Sequence, residues 1–540
     1  EGPMAHGTSE RDALARAREL LALVRLDPSA PEVIELCDQL DNLPLALELA
    51  AGQLRRFPLD ELTRRLGGRL TFLSQRVVGD SQRHATMEAT IEWSYRLLDP
   101  VEQALLRHLT VFPASFDLSA VEASAPRLGA DPAHVLGELV DKSLVVRDPG
   151  TGRYRLLETI RVFARRLLDE TGEASAALER HRQYVVQRVG VASRLDRWMS
   201  ARLAASYRRD LENARQAFRL SLAQGQLDDA VEIATGAAFL WRNAVGCTEG
   251  EVWVRELLAS ELDPHGRLWA HLLQADVGLG RGDFREMSQA AASASRVAAT
   301  REVTAACLAA HYEALPEIPD RGGHHPRLEA AMALARLSGE PRLVTLVEAF
   351  HGAAHLANED YDEGRRLVRR LDGTASADGY DRFITHWVGW MLALAERDAT
   401  AAQHWMSAQL DFLDRTGIVE TWLSSLSLAL TRVVTGGDFL APLSRALALA
   451  DQEGYRAEAD CVLVLAYSQV CADRFVAAAE LMGTAIRGRF NTTAHYALYQ
   501  IVLDRPVRRR LDVRDLEAAV ARGRARAASA ALADYGRRVL

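Results

Sequence analysis

Lysine is almost missing from this chain: of its 65 lysine and arginine residues, Lys142 is the only lysine. A loop that cradles nucleotide phosphates needs glycines for close backbone approach and a lysine to reach the terminal phosphates. Lys142 stands in Asp141-Lys142-Ser143 with no glycine-rich stretch before it. No such loop is expected here, nor any catalytic centre, and the chain reads as a non-enzyme. Cysteine is scarce as well. Cys37, Cys247, Cys307, Cys461 and Cys471 are odd in number, scattered, and never spaced Cys-x-x-Cys, which argues against a disulfide framework or a zinc site. They read as small apolar side chains in a reducing cytoplasm. No apolar run approaches the ~18 residues of a membrane span, and no basic-then-apolar leader opens the sequence. A cytoplasmic protein without membrane contact is the expectation.

What is present is apolar and helical. The 540 residues are 48% hydrophobic and 26% charged, too many for one core and balanced like folded domains. A net charge of −8 argues against an overall nucleic-acid footprint. Alternating β-branched runs are rare, whereas the helical period recurs. Helices are expected over Arg11–Val24 behind Ser9, Pro31–Leu40, Leu43–Arg56, Leu59–Leu66 and Thr86–Leu98. Asp99-Pro100 then restarts a helix through Leu109. Further helical segments fall at Val101–Thr110, Asp117–Ala125 and Pro132–Asp141. Leu144-Val145-Val146 and Tyr154-Arg155-Leu156 flank Asp148-Pro149-Gly150-Thr151-Gly152, the one good hairpin signal. With a closing helix at Glu158–Leu168, this order of elements predicts a winged helix.

From about residue 173 the pattern repeats. A short turn containing Gly or Asp, followed by an aromatic residue, recurs at Gly282-Asp283-Phe284, Glu359-Asp360-Tyr361, Gly437-Asp438-Phe439 and Asp473-Arg474-Phe475. Weaker copies are Gly225-Gln226-Leu227 and Arg397-Asp398-Ala399. An alanine-rich helix follows each turn, at a spacing of about 36 to 40 residues over the later copies. That is close to the period of tetratricopeptide-like helix pairs, which stack into a solenoid. The fold class expected is therefore all-α with one small β-hairpin wing. Its domains are a helical part at 1–80, a winged helix at 81–172 and a helical-repeat region at 173–540.

Leu36–Ala51, reading LCDQLDNLPLALELAA, opens an apolar helix with Pro44 directly after Asp41-Asn42. The segment resembles the Gly-Leu-Pro-Leu motif of the NB-ARC ATPases, nucleotide switches of the signal-transduction (STAND) class. Asn42 stands where that family usually has glycine. Ala89–Leu98, Glu102–Leu106 and Val111-Phe112 are similar to the segment that enters the family's winged helix. Tyr154–Arg161 lies where the family carries its Met-His-Asp motif. Arg208–Arg215, with the repeats after it, is similar to the sensor region of actinobacterial SARP-type and LuxR-type regulators. The resemblance implies that Pro44 packs against the adenine of bound nucleotide and that Leu157 takes the place of the phosphate-sensing histidine. A leucine cannot donate a hydrogen bond to phosphate. It also implies a regulatory and sensor region whose ATPase half lies upstream. ADP or ATP is then expected only if that half is present, and the repeats would take a protein, a peptide or a small effector. Self-association is compatible with this reading, and DNA would be reached only through a domain outside the chain.

Other constellations weigh less. The third winged-helix segment carries Asp131, Glu138 and Asp141 and no arginine, which disfavours a DNA-reading role, although the wing offers Arg147, Arg153 and Arg155. His351 and His355 share a helix face with Glu348 nearby, but Gly352 replaces a metalloprotease glutamate, so a structural role is expected. His324-His325 reads as loop. Arg508-Arg509-Arg510 reads as a solvated helix surface or, less readily, as a patch for an acidic partner. Trp387, Trp390, Trp405 and Trp422 read as inter-helix packing, with a ligand groove as the alternative. The rival functions are an interaction scaffold without nucleotide switching, a winged-helix DNA-binding repressor, and the regulatory tail of an upstream enzyme such as a nucleotide cyclase.

Overall fold

A computed structural model describes Ala50, Leu54, residues 58–61 and residues 80–539. Within that last range, 127–128, 244–246, 282, 299–301, 316–325, 376–378, 417–421, 453–456 and 489–498 are excepted. Most of the helices expected before residue 80 therefore lie outside the described residues, and Pro44 with them. Residues 59–61 are helical, and the Leu54 N–H donates to the Ala50 carbonyl at 3.0 Å. The chain divides into two compact units. One runs to Arg188 and takes in Asp210–Leu220; the other holds Val189–Arg209 and everything from Ser221 on.

The first unit contains α1 (Asp80–Arg96), α2 (Pro100–Leu109), α3 (Leu118–Ser124), α4 (Pro132–Asp141), β1 (Val146–Arg147), β2 (Tyr154–Arg155), α5 (Glu158–Glu170) and most of α6 (Ala174–Gly190). Each short helix starts where an aspartate caps it. The Asp99 carboxylate accepts from Val101 N and Glu102 N, and Glu102 reaches back to Asp99 N at 2.9 Å, a reciprocal box with Pro100 at the first helical position. Asp117 caps α3 through Ala120 N, and Asp131 caps α4 through Ala133 N. The apolar stripes that result, including Leu105, Leu109, Val135 and Leu139, are buried with Phe112 and Phe116. Burying such a side chain contributes about 1.5–3 kcal/mol each.

β1 and β2 pair antiparallel with Val146 opposite Arg155 and Arg147 opposite Tyr154; among the described residues they are the only strands. The turn between them is closed by the Asp148 side chain, which accepts from Gly150 N at 2.9 Å and from the Thr151 hydroxyl at 2.7 Å. A bridge from Phe116 to Tyr154 ties the α2–α3 corner to the hairpin. The elements expected between residues 99 and 170 are all present, with the strands shorter than the apolar runs that announced them.

Among the described residues of the second unit, six helix pairs follow one another. Their first helices are Pro264–Arg281, Val303–Ala314, Pro341–Ala357, Tyr380–Glu396, Trp422–Thr435 and Glu458–Cys471. The second helices are Phe284–Val297, Pro326–Ser338, Tyr361–Thr374, Ala399–Thr416, Leu440–Gln452 and Phe475–Gly488. Partners pack together, and each first helix also packs on the first helix of the next pair. One pair follows another every about 40 residues, longer than the strict tetratricopeptide unit. First helices such as Glu458–Cys471 are buried almost all round, whereas second helices such as Tyr361–Thr374 bury a single stripe of Gly364, Leu367, Val368 and Leu371.

Five of the six recurring sequence turns have one backbone form among the described residues. At Gly225, Glu359, Arg397, Gly436 and Asp473 the chain adopts φ values between 54° and 73°. In each case the next N–H reaches back five residues: Gln226 to Ser221, Asp360 to His355, Asp398 to Ala393, Gly437 to Arg432 and Arg474 to Gln469. This is the Schellman termination, which satisfies the last helical carbonyls. Asp360, Asp398 and Asp438 then accept an N–H of the following helix. One three-residue turn thus stops the first helix of a pair and starts the second.

Candidate functional site

The winged-helix unit has two chemically different sides: the exposed face of α4 with the hairpin tip, and the corner at 111–117. On α4, Val135, Leu136 and Leu139 face inward, leaving Asp131, His134, Gly137 and Asp141 exposed and Glu138 part-exposed. Lys142, which caps this helix, is only 2% exposed and pairs with Glu102, itself 4% exposed; Glu138 lies 3.7 Å away. Glu102 thus does two things, closing the α2 capping box with one oxygen and neutralising Lys142 with the other. The chain's sole lysine is a buried structural cation and cannot meet a ligand from the α4 face. Of the wing arginines, Arg147 and Arg155 are exposed.

Arg153 is turned inward and is 8% exposed. Its Nε donates to the Ser115 hydroxyl at 2.8 Å, and a terminal nitrogen donates to the Ser115 carbonyl at 2.8 Å and to Asp210. Asp210 also accepts from Arg188 at 3.2 Å, and Arg188 lies 3.3 Å from Asp117. Asn213 donates to the Ser115 carbonyl at 3.1 Å and Gln216 to the Val111 carbonyl at 2.7 Å. Burial works to raise the Asp117 carboxyl, but the Ser119 hydroxyl, the Ala120 N–H, Arg188 and Arg153 outweigh it and hold it below the usual range. The hairpin, the α2–α3 corner, α6 and the segment Asp210–Leu220 are therefore one hydrogen-bonded assembly. That segment begins the helix Leu211–Ala223, whose last residues belong to the second unit.

A second network closes α2 onto the start of α6. Arg107 makes a fork to Glu173 at 3.0–3.2 Å and donates to the Tyr95 hydroxyl at 2.7 Å. His108 contacts Glu173 through Nε2 at 3.2 Å and Arg180 through Nδ1 at 2.8 Å. Burial, with Arg180 beside it, pushes His108 below its ordinary value. The imidazole is then neutral near pH 7, its Nδ1 accepting from Arg180 and its Nε2–H donating to Glu173.

Leu157 sits at the N-cap of α5, two residues beyond the end of β2, and offers no side-chain cap hydrogen bond. Pro44 is not among the described residues. In the helix pairs, Trp390 is buried and donates to the Thr431 hydroxyl at 2.8 Å. Trp405 lies against Gly389, leaving no room there for a Cβ. Both serve helix packing. His355 contacts Asp360 at 3.0 Å, and Glu348 pairs with Arg370 at 3.1 Å. Cys307 and Cys461 are buried, and burial pushes the Cys307 thiol up to about 12, far from a reactive thiolate. The functions of Arg153, Asp210, Asn213 and Gln216 were not visible in the sequence. The sequence offered Arg153 as a wing cation and Arg208–Arg215 as a motif, which carried no hint of their partners.

Comparison with known proteins bears on this unit first. A family model described as a winged helix-turn-helix domain matches residues 98–169. Over 238 residues the chain is 37% identical to proteins of Mycobacterium bovis and Mycobacterium tuberculosis described as HTH-type transcriptional regulators, covering 43% of this chain and 27% of theirs. The chain thus spans about a quarter of the length of these relatives. It is also 37% identical over 169 residues to an uncharacterized Mycobacterium tuberculosis protein, covering 29% of this chain and 42% of that one. Among solved structures, it is similar to a signal-transduction ATPase with numerous domains (STAND) carrying a tetratricopeptide repeat sensor, from Pyrococcus horikoshii. That match has a TM-score of 0.40 and 13% identity, and covers 91% of this chain and 74% of that one.

Proposed function

We propose that this chain is the regulatory region of a transcriptional regulator, in which the winged helix relays a state of the helix pairs and does not itself read DNA. The observation that carries this reading is the α4 face, which exposes Asp131 and Asp141, holds no arginine, and has the chain's one lysine buried on Glu102. Lysine and arginine contacts to phosphate supply much of DNA affinity, so a duplex is repelled there. The match to a winged helix-turn-helix domain supports the module, and the likeness to mycobacterial regulators supports the regulatory role. The segment Asp210–Leu220 supports a physical route, because the helix it begins ends in the second unit while Asp210 holds Arg153 of the wing and Asn213 and Gln216 hold the α2–α3 corner.

In this reading the pairs are tetratricopeptide-like and receive a protein, a peptide or a small effector. DNA is reached through a domain outside these residues. ADP or ATP is bound only together with a nucleotide-binding half that supplies the phosphate loop; Pro44 then meets the adenine, and Leu157 cannot sense the phosphates. The chain by itself is not an enzyme. Two titrations test this. A labelled duplex at low salt is expected to give no change in anisotropy with the purified chain. Salt-dependent binding lost on Arg147→Ala and Arg155→Ala would establish instead a repressor that works through its wing. Calorimetry with ADP and ATP is expected to show no heat, whereas binding weakened by Pro44→Ala would mean that the nucleotide lip works without its other half.

A further inference from the structure

Beyond the six pairs the chain turns back on them. Gln500–Asp504 is a π-helical turn that runs directly into the helix Arg505–Arg510. The turn packs against Pro341–Ala357, Tyr380–Glu396 and Glu458–Cys471, all first helices of pairs, and against Phe475–Gly488. Ile501, Val502, Leu503 and Val507 are buried to 3% exposure or less. The arginines that follow are engaged inside the chain. Arg505 lies 3.8 Å from Glu359, Arg509 also pairs with Glu359, Arg508 donates to Asp504 at 2.7 Å, and Arg510 lies over the Phe475 ring. Glu359 is the left-handed residue that ends Pro341–Ala357.

The contacts have the form of a bound peptide more than of a seventh pair. Gln500–Asp504 crosses three first helices instead of pairing with one, while Arg505–Arg510 packs against Phe475–Gly488; first helices offer the kind of surface on which repeat arrays hold foreign segments. Its apolar strip is interrupted by a carboxylate, Asp504, which is buried and needs Arg508 and the Tyr499 hydroxyl for company. Single π turns are frequent at functional sites. Its clasp to Glu359 is made by arginines at the surface, where ion pairs hold weakly.

We propose that Tyr499–Arg510 is an in-chain ligand on a peptide-binding face of the helix pairs. The partner that face takes in its stead is a helical segment of another protein with consecutive aliphatic residues followed by arginines. This rests on reading the pairs as the receiving region. A partner segment displaces the in-chain one, so the free face exists only when Tyr499–Arg510 has let go.

The test uses the full chain and a labelled synthetic peptide of residues 499–511. Leu503→Asp weakens the in-chain segment and leaves the face intact. The variant is expected to keep its helical circular dichroism and cooperative melting and to bind the peptide at least about tenfold more tightly than the unaltered chain, because the competitor is gone. A folded variant that binds no more tightly overturns the proposal, and loss of cooperative melting would make the segment core and overturn it as well. Independently, Arg505→Glu with Arg509→Glu is expected to speed amide exchange over residues 500–510 by about tenfold, with Glu458–Cys471 unchanged and Glu359→Arg restoring protection. Unchanged exchange would also defeat the idea. Neither readout involves DNA or the winged helix, so failure here leaves the relay reading standing.

Discussion

At the scale of single residues, Lys142 and Glu102 form the costliest contact to disturb. Both are withdrawn from water, and Glu102 is simultaneously committed to the Asp99 N–H. Removing one partner of a buried pair leaves the other charge stranded, at a cost of about 3–5 kcal/mol. Lys142→Ala is therefore expected to lower the unfolding free energy measured by urea titration by that amount, and adding Glu102→Gln is expected to recover part of it by removing the stranded carboxylate. A loss below about 1 kcal/mol would show that Glu102 regains water when its partner goes. The sequence located Lys142 at the end of the third helix but could not show that it points inward. Arg153 is the same case in reverse. It reads as one of three wing cations, yet its acceptors are Ser115, 38 residues earlier, and Asp210, 57 residues later.

At the scale of elements, local chemistry explains why so much was legible. Asp99-Pro100 and Asp131-Pro132 announce helix starts, and the Asp-Pro-Gly-Thr-Gly turn announces the hairpin, because those residues satisfy or remove specific backbone donors. The repeat turns were visible for a similar reason: at Glu359, Arg397 and Gly436 the left-handed residue is followed within two positions by a capping aspartate. Three of the five left-handed positions are occupied by Glu359, Arg397 and Asp473, side chains that pay about 1–2 kcal/mol for that conformation. Asp473 makes only a 3.8 Å exposed ion pair with Arg397. Asp473→Gly is thus expected to raise the melting temperature, by about 0.5–1 kcal/mol of stability, while Gly225→Ala lowers it. A destabilised Asp473→Gly would mean that the aspartate contributes more than its conformation costs. The pairings of first helices, the insertion of Asp210–Leu220 into the winged-helix unit and the return of Tyr499–Arg510 were not legible. Each joins positions far apart in sequence, 150 residues for Arg509 and Glu359, and no local preference encodes such a pairing.

At the scale of the whole molecule, each unit carries a histidine that folding keeps neutral. Burial pushes His181, packed against Phe112, down to about 4, with Asn213 opposing. Burial, assisted by Arg382, does the same to His386. An unfolded chain takes up these protons near pH 6.5 and the folded chain only near pH 4. Stability from each is therefore complete above about pH 6.5, lost progressively as pH falls toward 4, and constant below that, for a total on the order of 3 kcal/mol per group. The melting temperature is expected to hold from pH 7.5 to about 6.5 and then fall down to pH 4.5, and His386→Phe is expected to flatten part of that slope. A melting temperature that does not change over this range would show that these rings reach water in the folded protein.

The burial of Lys142 has one more consequence, for how such a protein can be marked. Arginine carries nearly all the positive charge, and the sole ε-amine is closed inside the winged-helix unit. Acylation, methylation or isopeptide tagging at a lysine has no target on the folded surface. Any such mark on this segment must wait until that unit opens, and its attachment would record the opening.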